Sequence, residues 1–271
     1  MHEAHAPIGI FDSGVGGLTV LRRVREALPD EGILYLGDTA RVPYGTKSRE
    51  TVIRYARACA RILTDRGIKM LVVACNTASA HAIDALRQDL YIPVIDVVEP
   101  GARAAAQATG NGRIGVIGTA GTVSSGAYQD AIQAIAPGVQ VFSKACPLFV
   151  PLAEEGWTTG EVPARVAETY LAELLQENID TLVLGCTHYP LLHETIARVA
   201  GPAVTIVDSA CETALVVRRI IDVMGLHNDF PAAREIRFLV SDAPASFERI
   251  GRQFLGYDIG QAEWVDFQVA K

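Results

Sequence analysis

Short apolar runs alternate along the chain with longer segments whose apolar residues recur at three- and four-residue steps. The short runs are rich in β-branched residues and predict strands at 8–11, 33–36, 70–74, 93–97, 113–117, 139–142, 181–185 and 204–208. Between them, 17–28, 49–66 and 161–177 have the rhythm of amphipathic helices. Such alternation predicts an α/β fold with mainly parallel sheets, and strands apolar at nearly every position suit sheets covered on both faces. The tail is predicted to add a strand at 236–240, a helix at 244–254 and a strand near 262–269.

The pattern also repeats. IGIFDS at 8–13 resembles IGVIGT at 114–119, the strand leading into Cys75 resembles the one leading into Cys186, and PVIDVVEP at 93–100 resembles VTIVDSACE at 204–212. The spacings agree: 66 positions from Gly9 to Cys75 against 71 from Gly115 to Cys186, then 21 to Asp96 against 22 to Asp208. Three matches in one order indicate an internal duplication. The expectation is two pseudo-symmetric α/β domains facing a central cleft, with one cysteine on each side. Open α/β sheets bind ligands at the carboxyl ends of their strands, which is where both cysteines fall.

Composition narrows the function. Of the 271 residues, 49% are hydrophobic and 20% charged, which predicts a sizeable core rather than disorder. A net charge of −7 lacks the basic face a nucleic-acid binder needs. No apolar run approaches the roughly 20 residues that span a membrane, and MHEAHAP has no signal-peptide pattern. Five cysteines without a CxxC predict reduced thiols and a cytoplasmic protein.

Two facing thiols could form a redox pair, or Cys186 and His188 could begin a metal site, but neither reading has supporting spacing. Buried structural cysteines are the ordinary alternative. The chemistry that uses the pattern best is two-base proton transfer, in which one thiolate takes a proton from a carbon and the opposed thiol returns one to the other face. A free thiol with pKa near ~8.5 is only a few per cent ionised at neutral pH, and lowering it to ~7 needs about 2 kcal/mol of environmental help. Asp12, His188 and Glu154 are the candidate helpers. Their ordinary roles would be a helix N-cap, a satisfied loop histidine and a solvated acid. DSGVGG (12–17) could let backbone N–H groups approach a carboxylate, GDTARVPYG (37–45) could close on a ligand, and GTAGTVSSG (118–126) offers the hydroxyls of Thr119 and Thr122.

FDSGVGG, GDTARVPYG, ACNTASA, CPLFVPLAEEG and GCTHYP, in this order, resemble the glutamate racemases of the aspartate/glutamate racemase family. The resemblance covers nearly the whole chain and is weak only at the N-terminus and over roughly 226–271. It implies cofactor-independent interconversion of L- and D-glutamate for peptidoglycan synthesis and cell shape, by a cytoplasmic homodimer. It implies Cys75 and Cys186 as the acid/base pair, assisted by Asp12 and His188, with Glu154 a weaker helper. Asp12, Ser13, Tyr44, Gly45, Asn76, Thr77, Thr187 and His188 would bind the amino acid, with Thr119 and Thr122 as further candidates. The implied domains are 1–98 plus 208–271 and 99–207. Neither metal nor pyridoxal phosphate is expected. Of the four lysines, Lys47, Lys69, Lys144 and Lys271, only Lys144 sits at a predicted strand end that could offer a Schiff-base amine. An aspartate or hydantoin racemase, a non-catalytic amino-acid binder and a thiol redox protein are the alternatives.

Overall fold

The computed structural model describes residues 4–230 and 234–267. It contains two wholly parallel sheets. Their strands are β1 (Ile8–Asp12), β2 (Ile33–Gly37), β3 (Met70–Val73), β4 (Val94–Asp96), β5 (Arg113–Gly118), β6 (Gln140–Ala145), β7 (Thr181–Gly185), β8 (Thr205–Asp208), β9 (Ile236–Val240) and β10 (Ala262–Trp264). The first sheet runs β10-β9-β2-β1-β3-β4 and the second β6-β5-β7-β8. The molecule is therefore a pair of parallel-sheet α/β domains, as predicted. The core of both sheets has the same order: β2-β1-β3-β4 becomes β6-β5-β7-β8, strand for strand along the repeat.

The register repeats as well. Gly9 of β1 pairs with Leu71 of β3, and Gly115 of β5 pairs with Leu182 of β7. Cys75 and Cys186 each lie four residues beyond those leucines, so the two halves present their sulfurs at equivalent points. The glycines are packed alike. A Cβ on Gly9 would stand 2.6 Å from Cδ1 of Ile68, and one on Gly115 would stand 2.6 Å from Cδ1 of Ile179. Each isoleucine is three residues ahead of its paired leucine, and only glycine leaves it room.

The elements follow their sequence signals. The helices Leu18–Ala27, Arg49–Thr64 and Glu161–Gln176 occupy the predicted periodic segments. Ser48 caps the second of these by accepting from the amide of Thr51, relieving one unpaired N–H of the first turn. β6 runs to Ala145, beyond the predicted 142, because it is an edge strand whose side chains are half-buried or exposed, so Ser143 and Lys144 do not end it. β10 covers only Ala262–Trp264 of the predicted 262–269, and 268–269 lie outside the described residues.

The chain passes to the second sheet through helix Val98–Ala108 and returns through helix Ser209–Met224; these two helices pack on each other. One continuous hydrophobic cluster includes Ile10 and Leu21 of the first half with Leu184 and Phe149 of the second, so the halves share a core. At the amino ends of the first sheet's strands, Lys69 is fully buried and ion-pairs with Glu31. Its Nζ also donates to the carbonyls of Ala4 and Leu226, and Glu31 accepts the Asn228 amide at 3.0 Å. That cluster joins four chain segments at the end of the sheet opposite Cys75. Among the described residues no helix is long and apolar enough to cross a membrane.

Candidate active site

On the first side, β1 ends at Asp12 and β3 leads through Ala74 to Cys75, which caps helix Asn76–Asp89. Because β1 and β3 are neighbours, their ends meet. Asp12 is fully buried. Its Oδ2 accepts the Gly14 amide at 3.0 Å, bending the chain into the glycine loop, while its Oδ1 has no partner. Burial raises the Asp12 pKa, against the opposing pull of positive charge at His188. Cys75 donates to the Ser13 hydroxyl at 3.7 Å. Burial pushes its pKa up to about 12, helped by the negative charge of Asp12 and, less strongly, of Cys186.

On the second side, β7 delivers Cys186 at the matching position, and the chain turns through Thr187 and His188. Nδ1 of His188 is 3.9 Å from the Cys186 sulfur, and Nε2 is 2.9 Å from Oε1 of Glu154, the last residue of helix Phe149–Glu154. Phe254 meets the imidazole edge-on at 5.4 Å. Burial alone would lower the His188 pKa, but its hydrogen bonds to Cys186 and Glu154, and their charges, outweigh it and raise the value to about 10. The histidine is thus held as a cation between a sulfur and a carboxylate.

The halves touch across the site. The hydroxyls of Thr77, Thr119 and Thr122 form a triangle with sides of 2.9, 3.1 and 3.2 Å, Thr77 from the first half and the others from the second. A Cβ on Gly45 would lie 2.6 Å from Cβ of Thr119; one on Gly16 would lie 2.2 Å from Oγ1 of Thr187 and 2.6 Å from Nδ1 of His188. These two glycines permit backbone approach that no other residue allows. Thr19 adds a hydrogen bond from its hydroxyl to the Thr187 carbonyl at 3.0 Å.

The Asp/Glu/hydantoin racemase family model matches residues 8–217, well over half of the chain. The chain belongs to that family. This places the protein among the isomerases. It is 56% identical to the glutamate racemase of Geobacter metallireducens over 97% of this chain and 98% of that one. Among solved structures, a glutamate racemase of Bacillus anthracis superposes with a TM-score of 0.92 at 41% identity, covering 97% of this chain and 98% of that one. A glutamate racemase of Francisella tularensis in complex with D-glutamate superposes with a TM-score of 0.92 at 38% identity, covering 98% of this chain and 99% of that one.

In this family member, the residues singled out in the sequence gather around the two thiols. Asp12, Ser13 and Cys75 form one group, and Glu154, Cys186, Thr187 and His188 the other. Thr77, Thr119 and Thr122 close the gap, and Asn76 sits beside Cys75. Tyr44 stands apart in one respect: its hydroxyl is engaged by Asp38, with the Cys59 sulfur 3.7 Å away, so its donor is already spent. All five cysteines are free, and only Cys211 is exposed. Lys144 pairs with Glu173 at 2.6 Å. No cluster of three or more metal-ligating side chains occurs among the described residues. Thr19 and Phe254 were not visible as site residues, because nothing in their local sequence shows which residues of the other half they meet.

Proposed function

We propose that the protein interconverts L- and D-glutamate by two-base proton transfer between Cys75 and Cys186. The observation that carries this reading is the pair of sulfurs at equivalent strand ends of two repeated sheets, each beside its own ionisable helper. The names of its relatives, and the D-glutamate held by one of them, point to glutamate as substrate. One thiolate takes the Cα proton, becoming a thiol and leaving the electron pair on carbon. The opposed thiol then gives its proton to the other face and becomes the thiolate. No net proton is consumed, and the reverse reaction uses the same groups in exchanged roles.

The two sides begin differently. With its pKa near 12, Cys75 rests as a thiol. Ionising it unaided at neutral pH would cost about 7 kcal/mol. The unpartnered Oδ1 of Asp12 is an acceptor for that proton, and the substrate ammonium brings positive charge to the same place. On the other side, the cationic His188 holds its Nδ1 3.9 Å from the Cys186 sulfur. Glu154 holds the imidazole in place. Asn76, Thr77, Thr187 and the hydroxyls of Thr119 and Thr122 supply donors for two carboxylates.

The reaction needs no cofactor in this reading, and its product fits peptidoglycan synthesis in the cytoplasm, with the enzyme acting as a homodimer. The proposed division is 1–98 plus 208–271 for the half carrying Cys75 and 99–207 for the half carrying Cys186. The test is incubation with L-glutamate in deuterium oxide, without added cofactor. D-Glutamate labelled at Cα is expected; recovery of unlabelled L-glutamate would overturn the proposal, and preferential turnover of aspartate would reassign the substrate.

A further inference from the structure

Tyr128 belongs to no motif of the site, yet it connects both thiol-bearing strand ends. It lies on helix Ala127–Ile135 of the second half and is buried. Its hydroxyl donates to Oδ1 of Asn76, in the first half, at 2.7 Å. Ser209, at the start of the returning crossover helix, packs beside the phenol: its Cβ and the Tyr128 hydroxyl would lie 3.0 and 3.2 Å from a Cβ on Gly101. Burial raises the phenol pKa, so its proton stays in place to be donated.

The ring cannot wander. A Cβ on Gly101, in the outgoing crossover helix, would stand 3.2 Å from both Cε1 and the hydroxyl of Tyr128. A Cβ on Gly185 would stand 3.1 Å from Cε2. Gly185 directly precedes Cys186, and Asn76 directly follows Cys75. The phenol is therefore gripped next to one thiol and bonded next to the other.

The consequence falls on the Asn76 amide. Its oxygen is claimed by Tyr128, while its Nδ2 is buried with no hydrogen-bond partner. A buried amide donor left unmatched is costly, so this one has use for an acceptor. Flipping the amide would take the acceptor from the phenol proton. We infer that Tyr128 is a positioning residue that locks the Asn76 amide so that Nδ2 is presented to a carboxylate oxygen of the amino-acid substrate beside Cys75. This rests on the glutamate reading above and adds the residue that orients one of its carboxylate contacts.

Tyr128→Phe keeps the ring and removes only the donor. The expected result is a KM for both glutamate enantiomers raised about tenfold, equivalent to about 1.4 kcal/mol, with kcat changed far less. A purely structural role would not survive a double-mutant cycle. In an Asn76→Ala background, Tyr128→Phe should raise KM no further, because the amide through which it acts is gone. An unchanged KM in the single variant, or the same factor in both backgrounds, would overturn the assignment. Wild-type protein inactive on glutamate would instead sink the reading on which it rests, before any variant is compared. Thermal unfolding of each variant checks that the fold is retained.

Discussion

The charge on His188 gives the sharpest test of the site's electrostatics. The imidazole is buried, and its pKa stands at about 10 against an ordinary 6.5 because Cys186 and Glu154 together overcome the cost of burial. That difference corresponds to at most about 5 kcal/mol of preference for the cation. Glu154 brings its carboxylate to 2.9 Å, but its side chain is 32% exposed, so solvent screens it. Its share is then about 1–2 kcal/mol. Glu154→Gln removes that charge while keeping a hydrogen-bonding side chain. Losing an anion disfavours the imidazolium, so the His188 pKa must fall, by about one pH unit. The sign for stability follows. A raised histidine pKa stabilises the fold fully below about 6.5 and loses that contribution as pH climbs through about 10. Wild-type protein should lose thermal stability over that window, and the variant should lose it at lower pH. The basic limb of the kcat profile should move down in parallel. Variant and wild type with superimposable pH profiles, in both turnover and melting temperature, would refute a cationic His188 braced by Glu154.

Four further substitutions probe other parts of the argument. Cys75→Ser and Cys186→Ser should each lower racemisation about 10²–10⁴-fold. With one base left, exchange of the Cα hydrogen with deuterium oxide should persist from one enantiomer only, and wild-type turnover by either variant would remove that sulfur from the reaction. Gly16→Ala would place a Cβ 2.2 Å from Oγ1 of Thr187 and 2.6 Å from the His188 ring. Since a displacement of about 1 Å can cost 10²-fold, kcat should fall by that order with little change in melting temperature, and an unaffected kcat would show that the contact does not position the loop. Lys69→Met leaves Glu31 buried without its cation, a loss of about 3–5 kcal/mol that should lower the melting temperature by roughly 10 °C. Because the pair lies at the far end of the sheet from Cys75, kcat at 25 °C should be retained; a melting temperature equal to wild type would show that the pair contributes nothing.

Much of this was readable in the chain because it depends on neighbours in sequence. Gly9, Leu71 and Cys75 recur as Gly115, Leu182 and Cys186, and that spacing carried the duplication and the matched positions of the thiols. Glu154 and His188 were candidates from local context, and they meet. What the pattern could not carry is how the halves dock. Thr19 reads as an ordinary first-turn threonine, Tyr128 as an ordinary helix aromatic, and Phe254 as core; each acquires a role only from residues of the other half. Lys69 likewise reads as a lone lysine before a strand, since Glu31 and the Ala4 and Leu226 carbonyls come from three distant segments. Tyr44 shows the opposite limit: its loop was recognised, but the partner of its hydroxyl, Asp38, could not be foreseen.

The contacts that join the halves share a chemical property that bears on catalysis. Both sulfurs are buried, so in the proposed reaction an amino acid would gain access to them by a parting of the halves. The Thr19 hydroxyl has one proton and two carbonyls at 3.0 Å, that of Gly16 in its own turn and that of Thr187 across the cleft. On separation it keeps Gly16, and no buried donor is stranded. In the hydroxyl triangle, Thr119 and Thr122 keep each other at 3.1 Å, and Thr119 still accepts the Thr122 amide at 3.2 Å, when Thr77 withdraws. Gly16 and Gly45 contribute shape and no bond. At these threonine contacts parting strands no donor of Thr19, Thr119 or Thr122, a penalty of about 1–3 kcal/mol each, whereas the Tyr128–Asn76 bond at 2.7 Å must break and be remade. In the proposed reaction, the substrate's ammonium and carboxylates would meet Asp12 Oδ1 and Asn76 Nδ2, the two unpartnered polar atoms nearest Cys75 in the chain and in the sheet, and so favour the closed state.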